Sequence, residues 1–125
     1  MIALTFEFDL VSPDTLAWFD QLPQALAGRS VVIDYRPVAP PAGHPAMPWV
    51  QLLVACGAGR WACDQVLHRR GQEPLEAVSA SLNPRNDRAT ALPPAPEGPV
   101  PAIVWDGRRF DGPDAIDRLL AALAT

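Results

Sequence analysis

The order strand, helix, strand, helical middle, hairpin, helix predicts an α/β protein built on an open sheet. Three observations carry that prediction. Apolar residues alternate at the N-terminus, a β-branched run follows the first helix, and a two-residue turn near the C-terminus precedes a strongly amphipathic segment. The alternation places Ile2, Leu4, Phe6 and Phe8 on one face and Ala3, Thr5 and Glu7 on the other, which is a strand pattern. Ser12 is a favoured N-cap, and Pro13 suits the first helical position, where its missing N–H costs nothing. Leu16, Phe19 and Leu26 continue an apolar stripe; Pro23 is expected to kink or split this helix, and Gly28 to end it.

Ser30 to Pro37 reads as the second strand, and the run Val31-Val-Ile33 predicts burial on both faces. Residues 37 to 48 hold five prolines and form a loop. Trp49 to Ala58 and Trp61 to Arg70 read as helices around Gly57 and Gly59, and Pro74 to Leu82 as a third; Asn83 to Pro99 is irregular. Pro101 to Trp105 and Arg108 to Phe110 are short antiparallel strands joined by Asp106-Gly107, a strong hairpin turn. Ile116, Leu119, Leu120 and Leu123 then fall at helical spacing, behind the opening Gly112-Pro-Asp114.

The 125 residues suit one domain. Fifteen prolines, about twice the usual share, do not mean disorder, because 49% of residues are hydrophobic and 19% charged. All ten basic residues are arginine, and with 14 acids the net charge is −4, so neither nucleic acid nor an anionic membrane surface is an expected partner. No apolar run approaches the roughly 20 residues of a membrane span, and the N-terminus has neither a basic n-region nor an apolar h-region, so a cytoplasmic protein is expected.

Cys56 and Cys63 read as buried small hydrophobes outside any Cys-x-x-Cys motif. Together with His44 and His68 they lack metal-ligand spacing, so no metal is expected. Asp64 and His68 sit four apart and pair on a helix face. Arg69-Arg70, Arg85, Arg88 and Arg108-Arg109 read as solvated surface. Trp49 and Trp61 are expected to pack the helical middle, or to form a dimer contact.

The run Phe6-Glu-Phe-Asp-Leu-Val-Ser-Pro-Asp-Thr15 resembles the start of the DsbA-like thioredoxin superfamily. Where redox members carry Cys-Pro-x-Cys, this chain has Ser12-Pro-Asp-Thr15. Serine there resembles the branch of 2-hydroxychromene-2-carboxylate isomerases and kappa-class glutathione transferases. Phe19, Leu22-Pro23 and Val32-Ile-Asp-Tyr-Arg-Pro37 continue the likeness, as do Val100-Pro-Ala-Ile-Val-Trp-Asp-Gly107 and Phe110-Asp-Gly-Pro-Asp114 at the other end. Gly59-Arg-Trp-Ala-Cys-Asp-Gln-Val-Leu67 looks like a shrunken piece of the family's inserted helical domain. The resemblance implies a thioredoxin-like fold over residues 1–125, with a reduced helical insertion at about 46–92. It further implies glutathione as cofactor, a small-molecule or peptide ligand, and a homodimer.

By the same resemblance Ser12 is the catalytic candidate. A hydroxyl at a helix N-terminus stands beside unpaired N–H groups and the positive end of the dipole, a setting that stabilises an anion such as a thiolate; the alternative is a plain N-cap. Val100 and Pro101 are the implied glutathione-binding strand start, with a cis bond at Pro101, for which Pro96 and Pro99 are the competing prolines, and the backbone of Val100 pairing with the tripeptide. Asp114 is the implied contact for the γ-glutamyl end, or otherwise an acid favouring a helix dipole.

The departures from the family are equally specific. Asp14 puts a negative charge beside the thiolate position, Pro113 and Ala115 replace a polar residue and an arginine, and Val38-Ala-Pro-Pro-Ala42 offers no polar catalytic residue. Two readings follow. One is a glutathione-dependent isomerase or transferase with Ser12 polarising the thiol. The other is a catalytically degenerate thioredoxin-fold module that binds a peptide or protein, redox-inactive because Cys-x-x-Cys is absent.

Overall fold

A parallel pair opens the chain. β1 (Ile2–Phe8) leads through α1 (Asp14–Ala25) to β2 (Val31–Pro37), and β2 lies alongside β1 in register from Ile2 opposite Val31 to Phe8 opposite Pro37. α2 (Met47–Ala55), α3 (Arg60–Arg69) and α4 (Leu75–Leu82) follow, then a 3-10 turn at Arg88–Thr90. β3 (Ala102–Trp105) and β4 (Arg108–Asp111) form an antiparallel hairpin, and α5 (Ala115–Leu123) closes the chain. β3 also pairs antiparallel with β1, giving a mixed four-stranded sheet of order β2-β1-β3-β4. The computed structural model describes residues 1–124. The result is an α/β architecture.

One sheet face holds the core. Leu4, Phe6 and Phe8 share it with Tyr35, Ile103 and Phe110, and these pack against Trp18, Phe19 and Leu22 of α1, Leu119 of α5, and Val50, Leu53, Cys63 and Val66 of the helical middle. Phe6 stacks on Phe8 at 5.1 Å and meets Tyr35 edge-on at 6.3 Å, the offset and T-shaped geometries that aromatic quadrupoles favour. The hairpin turns on Asp106 and Gly107, both at positive φ (52° and 74°), the conformation that matches the twist of paired strands.

Several expectations are corrected. The second face of the sheet is uncovered at β2, so Val31-Val-Ile33 is not buried on both faces, and Val32 is 51% exposed. α1 runs on past Pro23 to Ala25 rather than splitting, because Pro23 stands in its last turn, where one lost bond is tolerated. Trp61 does not pack the helical middle; it is 60% exposed, whereas Trp49 is partly buried against the core. The Asp64–His68 pair forms, with Nδ1 3.2 Å from the carboxylate, but His68 also reaches across to α1, its Nε2 3.3 Å from Asp20.

That second contact clamps α3 to α1. The Asp64 carbonyl, accepting from Nδ1 at 2.9 Å, raises the His68 pKa above its ordinary 6.5, and the Asp20 carboxylate adds to the rise. The clamp therefore contributes fully below about pH 6.5 and fades as the pH climbs through the raised value. Because His68 is exposed the effect is modest. Urea unfolding from about pH 6 to 9 is expected to show stability falling in the native chain and a flatter profile in His68→Gln.

Candidate functional site

The turn after β1 is built around Asp9. One of its oxygens accepts the Ser12 backbone N–H at 3.2 Å, and the other accepts the Thr15 hydroxyl at 3.2 Å, so this single carboxylate closes the turn and ties it to the first turn of α1. Thr15 is buried while Asp9 and Ser12 are partly exposed. Arg70, from the end of α3, donates to the Leu10 carbonyl and fixes the same turn from the other side. The Ser12 oxygen accepts the Asp14 N–H at 3.4 Å, a long bond, which leaves the hydroxyl proton free to be donated outward.

Opposite this turn stands the segment leading into β3. Ser12, Asp14 and Trp18 share a cleft of about 280 Å³ with Pro99, Val100, Pro101, Asp111, Gly112 and Pro113. The Val100–Pro101 peptide bond is cis. The cleft lies off the carboxyl end of β1, beside the start of β3 and the end of β4.

Asp114, the remaining sequence candidate, does not line this cleft with the others. It adjoins the cleft's Gly112-Pro113 rim, where its carboxylate accepts from Arg118 Nε at 2.9 Å. Arg118 also donates to the Asp111 carbonyl, so an anion and a cation stand paired at the rim.

The wall carrying Val100 is positioned from beneath. Glu7, in the middle of the sheet's second face, is only 1% exposed. In-register neighbours place Arg36 directly across from it on one side and Ala102, then Asp111, on the other. Its carboxylate accepts the Arg109 guanidinium at 3.0 Å and the Glu97 backbone N–H at 3.1 Å, and Arg36 Nε makes a looser ion pair at 3.9 Å, beyond hydrogen-bond range. Arg109 donates in turn to the Pro99 carbonyl at 2.7 Å. Gly98 lets the chain pass this close, since a Cβ there would stand 2.8 Å from Arg109 Nε. Arg109 is thus not the solvated surface residue its Arg108-Arg109 pairing suggests. It stays anchored because a carboxylate buried at Glu7 needs a counter-charge.

Asp9, Arg109 and Arg118 carry no motif and are missed by sequence reasoning. The one available signal is Glu7, a charged residue inside a strand whose burial demands a basic partner.

The cysteines lie in the helical middle and outside the cleft. Cys56 caps α2, and Cys63 is buried in α3, where burial pushes its thiol up to about 12. Its thiol donates to the Ala58 carbonyl at 3.5 Å. Both are free thiols. Among the described residues no group of three or more His, Cys, Asp or Glu is placed to hold a metal ion, and no helix is long and apolar enough to cross a membrane. Comparisons with protein-family models, curated proteins and solved structures return no significant match.

Arg109→Ala would strip Glu7 of its closest counter-charge and free the Pro99 carbonyl. With Arg36 and the Glu97 N–H remaining, the expected loss is about 2–3 kcal/mol in a urea titration. Replacing both partners at once, Glu7→Leu with Arg109→Met, is expected to cost less than Arg109→Ala alone, since no carboxylate then stays buried and Arg36 keeps Glu97 as its partner.

Proposed function

We propose that the chain is a compact relative of the glutathione-dependent isomerases and transferases of the DsbA-like superfamily, with a thioredoxin-like fold. The observation that carries this reading is the convergence of Ser12, at the start of α1, with Val100 and Pro101 in one cleft. Supporting the fold is the parallel β1-α1-β2 unit, joined by an antiparallel β3–β4 hairpin and a closing helix in the order β2-β1-β3-β4.

Glutathione, when bound, supplies a thiolate that adds reversibly to an activated double bond. Ser12 donates its hydroxyl proton toward that sulfur, while the N-terminus of α1 favours negative charge. Val100 offers backbone groups to an extended tripeptide, and Trp18 forms an apolar wall. Asp114 and Arg118 present an anion and a cation side by side, which suits the ammonium and carboxylate of a γ-glutamyl end. The family's arginine position is Ala115 here, and Arg118, one turn further on, supplies the charge in its place.

A second reading rests on a different observation. Asp9 is bonded to the Ser12 turn, and Asp14 and Asp111 line the same cleft, so three acidic residues contribute to it, Asp111 with Arg109 Nε 3.9 Å from its carboxylate. They oppose a thiolate and suit a cationic peptide, as in a non-catalytic binding module.

Calorimetric titration separates the two. The first reading expects glutathione to bind at millimolar concentration or below. It also expects Ser12→Ala to lower turnover of an aromatic isomerisation substrate about 100-fold or more, in line with the loss of one oxyanion-type donor. No heat at millimolar glutathione would sink it. Glutathione binding without turnover would leave the binding module standing.

A further inference from the structure

We propose that the free edge of β2 is a docking site for an extended peptide, which adds as a fifth strand with a basic residue facing Asp34. The site shares no residue with the Ser12 cleft.

Backbone parity defines the edge. Ile2 donates to the Ser30 carbonyl and Val38 to the Phe8 carbonyl, so the even-numbered residues of β2 bond toward β1. Val31, Ile33 and Tyr35 therefore point their N–H and C=O groups outward, and β2 is the last strand of the sheet on that side. Among the described residues none bonds to those outward groups. Pro37 ends the row, because it has no N–H to offer. Natural edges are ordinarily blunted by bulges, prolines or coverage; here three consecutive outward positions lie open.

The same three residues floor a groove of about 390 Å³, walled by Pro23, Leu26 and Ala27 on one side and Arg60 on the other. Arg60 is held in place, with its guanidinium 2.6 Å from the Tyr35 hydroxyl and over the Phe19 ring at 4.4 Å. A strand laid along β2 would send alternate side chains into this groove and the others to the opposite face. The groove side asks for apolar residues, with an acid at the end where exposed Arg29 stands. On the opposite face Asp34 is exposed and unpaired among the described residues, between Val32 and Arg36. Arg36 is already engaged by Glu7 and Glu97. The unsatisfied charge of that face is thus negative, and its complement is a lysine or arginine.

Charge also decides against a second copy. Two-fold antiparallel pairing that uses all three outward donors sets Ile33 opposite itself. Asp34 then faces Val32 of the other copy and lies diagonal to the other Asp34, about 7–8 Å away. Like charges meet there, between chains that each carry −4.

The probe is a capped peptide of sequence Val-Lys-Val-Thr-Val-Thr-Glu, which in antiparallel register sets its lysine across from Asp34 and its glutamate toward Arg29. Titrated into the ¹⁵N-labelled chain, it is expected to give saturable shifts confined to β2 and the groove, with slowed hydrogen exchange at Val31, Ile33 and Tyr35. Asp34→Lys should weaken this peptide about fivefold and strengthen one with glutamate in place of that lysine. The same peptide N-methylated on alternate residues should not bind. The proposal is overturned by an absence of shifts at millimolar peptide, by shifts at the Ser12 cleft instead, or by indifference to Asp34→Lys. It is equally overturned if sedimentation shows a dimer whose β2 amides are protected without peptide, because the edge would then belong to a second copy.

Discussion

A carboxylate buried in the middle of a sheet organises this molecule. Glu7 is packed out of water, and taking a charge out of water is tolerable only if other groups replace the lost hydration. The replacements come from three parts of the chain: Arg36 on β2, Arg109 on β4, and the backbone of Glu97 in the proline-rich segment before β3. Two of these ties span 90 and 102 residues of chain, and together they draw an irregular stretch across the second sheet face. Arg109 then passes the constraint on by holding the Pro99 carbonyl, one residue before Val100. The candidate cleft has one wall made by the Asp9-bonded turn and another by this anchored segment, so its shape depends on Glu7 although Glu7 does not line it.

The cleft's electrostatics pull in two directions. The start of α1 and the free Ser12 hydroxyl proton favour an anion, while Asp9 and Asp14 oppose one. Asp114 and Arg118 at the rim neutralise each other. Under the proposed reading, a thiol peptide with a zwitterionic end is the ligand, its small, polarisable thiolate being the anion that asks least of the cleft floor.

Much of the fold was legible because it follows from periodicity and turn chemistry. The alternation of Ile2 to Phe8, the Asp106-Gly107 hairpin and the α5 stripe of Ile116, Leu119, Leu120 and Leu123 all appear where the pattern puts them. What failed depends on sheet order, which a one-dimensional pattern does not contain. The run Val31-Val-Ile33 reads as doubly buried, yet β2 lies at the edge of the sheet with Val32 uncovered on the second face. At the candidate site, only resemblance singles out Ser12, Val100, Pro101 and Asp114; the first three share a cleft and Asp114 adjoins it. Asp9, Arg109 and Arg118 escaped because their roles are made by contacts 3, 102 and 4 residues away in the chain, and no motif marks any of them.

The proposal that the Ser12 turn and the Val100 segment together hold a thiol peptide is tested most directly by a crystal structure of the chain soaked with glutathione. The sulfur is expected within hydrogen-bond distance of Ser12 Oγ, the tripeptide backbone antiparallel to Val100, and its γ-glutamyl end against Asp114 and Arg118. Glutathione density elsewhere, or an empty cleft at saturating glutathione, would contradict it.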